Sequence, residues 1–182
     1  TLRDLGHTEE ADAITRAAVP HPQFCFEDTM VLHLPPLTFE IRRMGGHSPA
    51  TSPIFVPEEG VLFSSDVVSH TGGGMRDANL GEWIRALEWI ESLPIKTIVP
   101  GHGDICGKDV ATRQKERMVS IKGTMEEVLK KGLTKDETVA DESFQKFFRA
   151  DTSRGEYWLQ QRKETFRIGI ERVYDEVKAD IG

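Results

Sequence analysis

Cysteine is scarce in these 182 residues: Cys25 and Cys106 stand far apart, with no C-x-x-C spacing, which excludes both a zinc knuckle and a disulfide framework. A reducing, cytoplasmic compartment is the expectation. No window approaches the ~18 uninterrupted apolar residues of a membrane span, and no N-terminal stretch runs in the basic, apolar, small-residue order of a secretory signal. A soluble chain without a membrane partner follows. Positive charge is also in deficit. With a formal net charge of -7 and acids and bases mixed along the chain, there is no basic stripe to follow a phosphate backbone, so nucleic acid is excluded as a partner. Internal repeats and low-complexity tracts are absent. The first residue is Thr1 rather than Met, and a segment upstream of it is expected. What is present, 38% hydrophobic residues, suffices for one core and is too little for two large domains.

The chain divides into three parts. Residues 8–18 open with Thr8 as N-cap and two acids in the first turn, then stop before Pro20 and Pro22, giving a short helix and a loop. From Met30 to Pro100 the period becomes two. Leu37, Phe39 and Ile41 alternate with Thr38, Glu40 and Arg42, and two further strands, "SPIFV" and "VLFSS", flank a tight turn at 57–60. Asp66 then lies where a strand ends. A helix is predicted over about 80–93, with Asn79 as N-cap, Leu80, Trp83, Ile84, Leu87 and Ile90 on one face, and Pro94 as its stop. "IKTIV" reads as a buried strand broken by Pro100-Gly101-His102-Gly103, which puts His102 on a loop. The third part is helical. Met118, Ile121, Met125 and Val128 form one stripe ending at Gly132, Thr134 and Glu137 have capping-box spacing, and a final helix over about 157–181 carries Phe166, Ile170, Val173, Val177 and Ile181.

His47, Asp66 and His102 are the candidate chemistry. Two neutral imidazoles and a carboxylate at strand ends suit Zn²⁺, and equally Mn²⁺ or Fe²⁺. The adjoining glycines, Gly45, Gly46, Gly101 and Gly103, permit turns that lower an imidazole into a cleft. Taken singly, each histidine reads as structural. His70, four residues after Asp66, is a candidate for touching substrate or metal, or a loop residue in solvent. Cys106 reads as a small buried hydrophobe rather than a ligand. Gly72 to Gly74 lack the Lys-Ser/Thr of a phosphate-binding loop and read as a flexible cleft loop. Trp83 and Trp89 read as core aromatics, and His7, His21 and His33 receive no role.

"GGHSPATSPIFVPEEGVLFSSDVV" and "LPIKTIVPGHGDICG" resemble the second half of the metallo-β-lactamase-fold hydrolases over roughly residues 30–132. The resemblance implies an α/β (α+β) fold, the C-terminal half of a four-layer αββα sandwich, over 1–132, with a C-terminal helical extension over 133–182. It implies that His47 completes a first metal site, that Asp66 bridges two metals and acts in catalysis, and that His102 binds the second. Two zinc ions (or Mn/Fe) per complete domain would serve hydrolysis by a metal-bound hydroxide. One departure is large. The family's His-x-His-x-Asp-His is absent, since no two of the six histidines stand two residues apart. The remaining ligands are therefore expected on a segment outside this chain, with metal partial or absent here and the chain inactive alone.

The substrate is expected to be a small molecule bearing an ester, thioester, lactam or phosphodiester. The loop after Asp66 lacks the Cys-Gly-Arg pattern of glyoxalase II relatives, which disfavours a glutathione thioester. The alternative is a degenerate, non-catalytic subunit or interaction module of the same fold. A sheet without its partner half is expected to expose Phe39, Ile54, Phe55 or Leu62 and to meet the missing N-terminal half or a second copy, unless the stripe from Phe166 to Val177 folds over it.

Overall fold

The computed structural model describes residues 8–17, 21–72, 74–148 and 155–181. A short helix, α1 (Thr8–Arg16), precedes a five-stranded sheet in which spatial order follows chain order: β1 (Thr29–Leu34), β2 (Leu37–Arg42), β3 (Ile54–Val56), β4 (Val61–Ser69) and β5 (Thr97–His102). The first four strands pair antiparallel. β5 runs parallel to β4, and the connection between them is helix α2 (Leu80–Ser92). The turn from β3 to β4 closes where expected: Gly60 takes φ +65 and donates its N–H to the Val56 carbonyl at 2.9 Å.

Helix α2 forms for the reasons its sequence states. The Asn79 side chain accepts from the Glu82 amide at 2.7 Å, satisfying one of the amides that a helix start leaves without a partner. Leu80, Trp83, Ala86, Leu87 and Ile90 are buried on one stripe, each large side chain contributing about 1.5–3 kcal/mol. Helix α3 (Lys108–Lys130) follows, with Met118, Ile121, Met125 and Val128 inside, and ends just before Gly132 at φ +76. α4 (Lys135–Ala140) carries the expected capping box between Thr134 and Glu137, and α5 (Glu142–Gln145) is a single turn. α6 (Glu156–Ile181) packs on α3 and α4. Its Ile170, Val173 and Val177 belong to the same buried cluster as Leu62 and Trp83.

Helices α2 and α3 lie against β4 on one face of the sheet. Phe55, Leu62 and Ile98, aligned across β3, β4 and β5, form the floor under them and are almost wholly buried. The neighbouring register row, Ile41, Ile54, Phe63 and Val99, points the other way. Phe63 there is 43% exposed.

Four expectations need correction. Phe55 and Leu62 do not share an open face with Phe39 and Ile54, because consecutive strand residues alternate between faces, and the helices take the Phe55 side. The α6 stripe packs on the helical layer rather than over the open face, and Ile181 at its end is 54% exposed. β4 continues through Asp66 to Ser69, so Asp66 lies within a strand, not at its end. β5 likewise runs through Pro100 to His102. Pro100 is tolerated because β5 is the last strand of the sheet, and proline, which lacks an N–H, is accepted on edge strands.

Candidate metal centre

The His47 loop is built on two glycines in left-handed backbone, Gly45 at φ +70 and Gly46 at φ +90. Gly46 is also pressed against α2: a Cβ there would lie 2.8 Å from the Trp83 Cα. That contact requires glycine on both counts. Gly46 donates to the Glu82 carboxylate at 3.3 Å and accepts from the Asn79 amide at 2.8 Å, so the cap of α2 and the loop hold one another. Thr51 closes the far side, its hydroxyl accepting from the Ser48 amide at 3.0 Å. The His47 ring stands edge-on to Trp83, centroids 5.3 Å apart at 75°. The indole is fixed in turn by donating Nε1–H to the Val67 carbonyl at 2.9 Å.

Asp66 is aimed by an irregularity in β4. Ser65 has φ 50, a left-handed backbone rare for a residue with a Cβ. The β4–β5 register shifts on both sides of it. Bulges of this kind recur beside active sites because they redirect a side chain. Across from the carboxylate, Gly101 leaves the space it occupies, since a Cβ at Gly101 would fall 2.1 Å from Asp66 Oδ1.

The structure brings His47, Asp66 and His102 together. His47 Nε2 lies 3.5 Å from Asp66 Oδ2, and His102 Nε2 lies 3.4 Å from Asp66 Oδ1. Each imidazole meets a different oxygen of one carboxylate. Among the described residues, no group of three or more His, Cys, Asp or Glu could hold a metal ion by itself. Two buried polar atoms here have no hydrogen-bond partner, His47 Nδ1 and Asp66 Oδ1. A buried carboxylate oxygen without a donor is costly unless a cation or proton faces it, so this donor set fits a borderline divalent cation.

The other candidates sort differently. His70 joins its ring Nε2 to the Asp104 carbonyl at 3.0 Å and donates its amide to the His102 carbonyl at 3.1 Å. Its ring is occupied in buttressing the loop behind His102. Cys106 pairs its backbone with Ile98. Burial pushes its thiol up, and the charge of Asp109 adds to the effect, so it is no ready thiolate. Gly72 is anchored, not slack: its carbonyl accepts from Arg117 at 3.2 Å and from Gln114 at 3.5 Å. His21 and His33 are exposed away from these residues; His7 and Gly73 lie outside the described residues. Three supporting features went unread in the sequence: the Ser65 bulge, the Glu82 contact, and Trp83 as the neighbour of His47.

The family model described as the metallo-beta-lactamase superfamily matches residues 2–102. The chain belongs to this superfamily. No curated protein matches its sequence. Among solved structures, a metallo-beta-lactamase family protein from Thermus thermophilus is similar at TM-score 0.61 and 16% identity, covering 100% of this chain and 57% of that one. The stereoselective inverting sec-alkylsulfatase from Pseudomonas sp. is similar at TM-score 0.58 and 14% identity, covering 83% and 26%. A metallo-beta-lactamase from Pontibacter korlensis gives 0.50 at 18% identity, covering 64% and 60%. At these identities the likeness is one of fold, and the chain spans 60% or less of the length of each. Superfamily membership makes a hydrolase-type fold the frame for the site. Among the described residues no helix is long and apolar enough to cross a membrane.

Proposed function

We propose that His47, Asp66 and His102 are metal ligands of a hydrolase, zinc first with manganese or iron as alternatives, and that its further ligands are not among these 182 residues. The observation that carries this is Asp66 Oδ1, buried without a donor, at 3.4 Å from His102 Nε2 and packed against a glycine. A bound cation in such a site lowers the pKa of water toward neutrality and polarises a scissile bond. The chain's own residues orient the donors. Trp83 sets the plane of the His47 ring, the bulge at Ser65 turns the Asp66 carboxylate toward both imidazoles, and the end of β5, backed by His70, presents His102. With one imidazole facing each of its oxygens, Asp66 would be shared between two metals if both were bound. The bond attacked is proposed to be that of an ester, a thioester, a lactam or a phosphodiester. Residues 133–182 are proposed as an extension built onto the helical layer.

Metal analysis after dialysis tests the reading. The isolated chain is expected to hold well under two equivalents of zinc, and His102→Ala to reduce that further, while His33→Ala leaves it unchanged. Equal loss in the two variants would mean that the wrong histidines have been chosen. A tight two-metal stoichiometry would refute the need for outside ligands.

A further inference from the structure

Ser64 is a polar residue on the face of β4 that meets the helices. It follows Leu62 by two positions and is, like Leu62, wholly buried. Alternation along the strand would place a second aliphatic side chain there. The Ser64 hydroxyl instead donates to the carbonyl of the next residue, Ser65, at 3.1 Å, and lies 3.4 Å from the carbonyl of Val99 on β5. Both acceptors sit where β4 and β5 fall out of step.

The ladder is short of a donor at that point. Between Phe63 and Ser65, β4 advances two residues while β5 advances one, from Val99 to Pro100. Pro100, the register partner of Ser65, has no N–H to give. Buried backbone groups are costly without partners, and the Ser64 hydroxyl brings a donor in from the side. The backbone it meets is one that does not hold by itself. Among the described residues Ser65 is the only non-glycine with positive φ, at 50. Such conformations persist where the surroundings over-determine them, and they cluster at active sites. Two constraints converge on the Ser65 carbonyl: the Ser64 hydroxyl on its oxygen, and Gly101 so near its carbon that a Cβ there would lie 2.9 Å away. Asp66 follows directly, so the torsions at Ser65 decide where the carboxylate points.

We propose that Ser64 is a positioning residue of the candidate metal centre: its hydroxyl latches Ser65 in left-handed backbone, and that turn holds the Asp66 carboxylate between His47 and His102. The proposal rests on the metal reading above for the role of Asp66 as a ligand. Without the latch, Ser65 returns to the extended backbone usual for a residue with a Cβ. Successive strand residues face opposite ways, so a slip of one residue carries Asp66 away from both imidazoles. Glycine takes positive φ without steric cost, and a chain with glycine in place of Ser65 needs no latch.

Ser64→Ala, Ser65→Gly and their double variant test this on the full chain with two readouts. Carbon chemical shifts of residue 65 in the metal-free chain report its backbone conformation. Titration with zinc, and with cobalt(II) for its visible spectrum, reports affinity and donor geometry. Ser64→Ala is expected to move the residue 65 shifts to extended values, to alter the cobalt spectrum and to weaken zinc at least about tenfold, as when a group that orients a ligand is lost. Ser65→Gly should bind zinc as the native chain does, and the double variant should regain most of the native affinity and the native cobalt spectrum. A lower melting temperature in Ser64→Ala with native shifts and native zinc affinity makes Ser64 a packing residue and overturns the proposal. A double variant as impaired as Ser64→Ala overturns it too. Where Ser64→Ala alone does not fold, the double variant is expected to fold and bind, and its failure counts in the same way. Failure of the metal reading looks different: the native chain then takes up no zinc, while the metal-free shifts still show whether Ser64 holds the turn.

Discussion

Gly101→Ala isolates the packing that shapes the candidate centre. The residue is not among the glycines with positive φ, so alanine can adopt its backbone and only the new methyl matters. That methyl would lie 2.1 Å from Asp66 Oδ1, 3.0 Å from Asp66 Cγ and 2.9 Å from the Ser65 carbonyl carbon. The carboxylate can swing aside, but the Ser65 backbone sits in a bulge between two strands and cannot. Overpacking of this kind costs about 1–3 kcal/mol, which for a chain of this size lowers Tm by roughly 2–12 °C. A displaced Asp66 no longer faces the two imidazoles, and zinc affinity should fall at least 10–100-fold, about the range seen when ligand positioning alone is lost. Gly123→Ala is the matched control. It lies inside α3 with nothing within 4 Å of the new methyl and should stabilise by about 0.5–1 kcal/mol. Thermal unfolding and zinc titration of both variants give the comparison. If Gly101→Ala melts within about 1 °C of the native chain and takes up the same zinc, the close seat of Asp66 against β5 is wrong.

Glu176→Ala removes a carboxylate that accepts from the Leu80 and Gly81 amides at 2.8 Å each, and denaturant titration should show a loss of about 1–3 kcal/mol; no change would mean that water replaces it freely. Hydrogen bonds from Lys115, then Thr112, hold the Glu91 carboxyl below its usual value, and Glu91 in turn raises Lys115. The carboxylate's contribution to stability is present above pH 4.5 and lost as pH falls through the lowered value, while that of Lys115 is present below pH 10.5 and lost as pH rises through the raised one. The stability gap between native chain and Glu91→Gln should therefore close in acid, and a gap independent of pH would refute the pairing. The open row containing Ile54 and Phe63 predicts self-association by light scattering at micromolar concentration; a monomer that binds no dye for apolar surface would exclude it.

The features written in local chemistry were legible. Asn79 before an apolar stripe and Thr134 three residues before Glu137 each act within a few residues of themselves. What escaped depends on chain segments far apart. Nothing around Ser65 marks a left-handed backbone; it exists because β4 must both pair with β5 and turn Asp66 toward two imidazoles. Which face of β3 and β4 the helices cover could not be read from a period of two, which separates Ile54 from Phe55 but does not say which is inside. Pro100 was read as a break because a proline interrupts a central strand, and only the sheet order shows that β5 lies at the edge.

Glu176 also makes the last helix and the His47 loop a single opening unit. From α6, Glu176 grips the first two amides of α2, and Arg172 donates to the Ala78 carbonyl at 2.7 Å. Asn79, between them, donates its amide to the Gly46 carbonyl. To release Gly46, α2 must lose its cap; to lose its cap, it must part from α6. Native-state exchange should therefore report one event, with the amides of Asn79, Leu80 and Gly81 exchanging at a shared free energy and a shared denaturant slope. A protease that catches α6 detached would find the first histidine's loop already undone, and the time for which the donors stay assembled is set by the stretch of chain farthest from them in sequence.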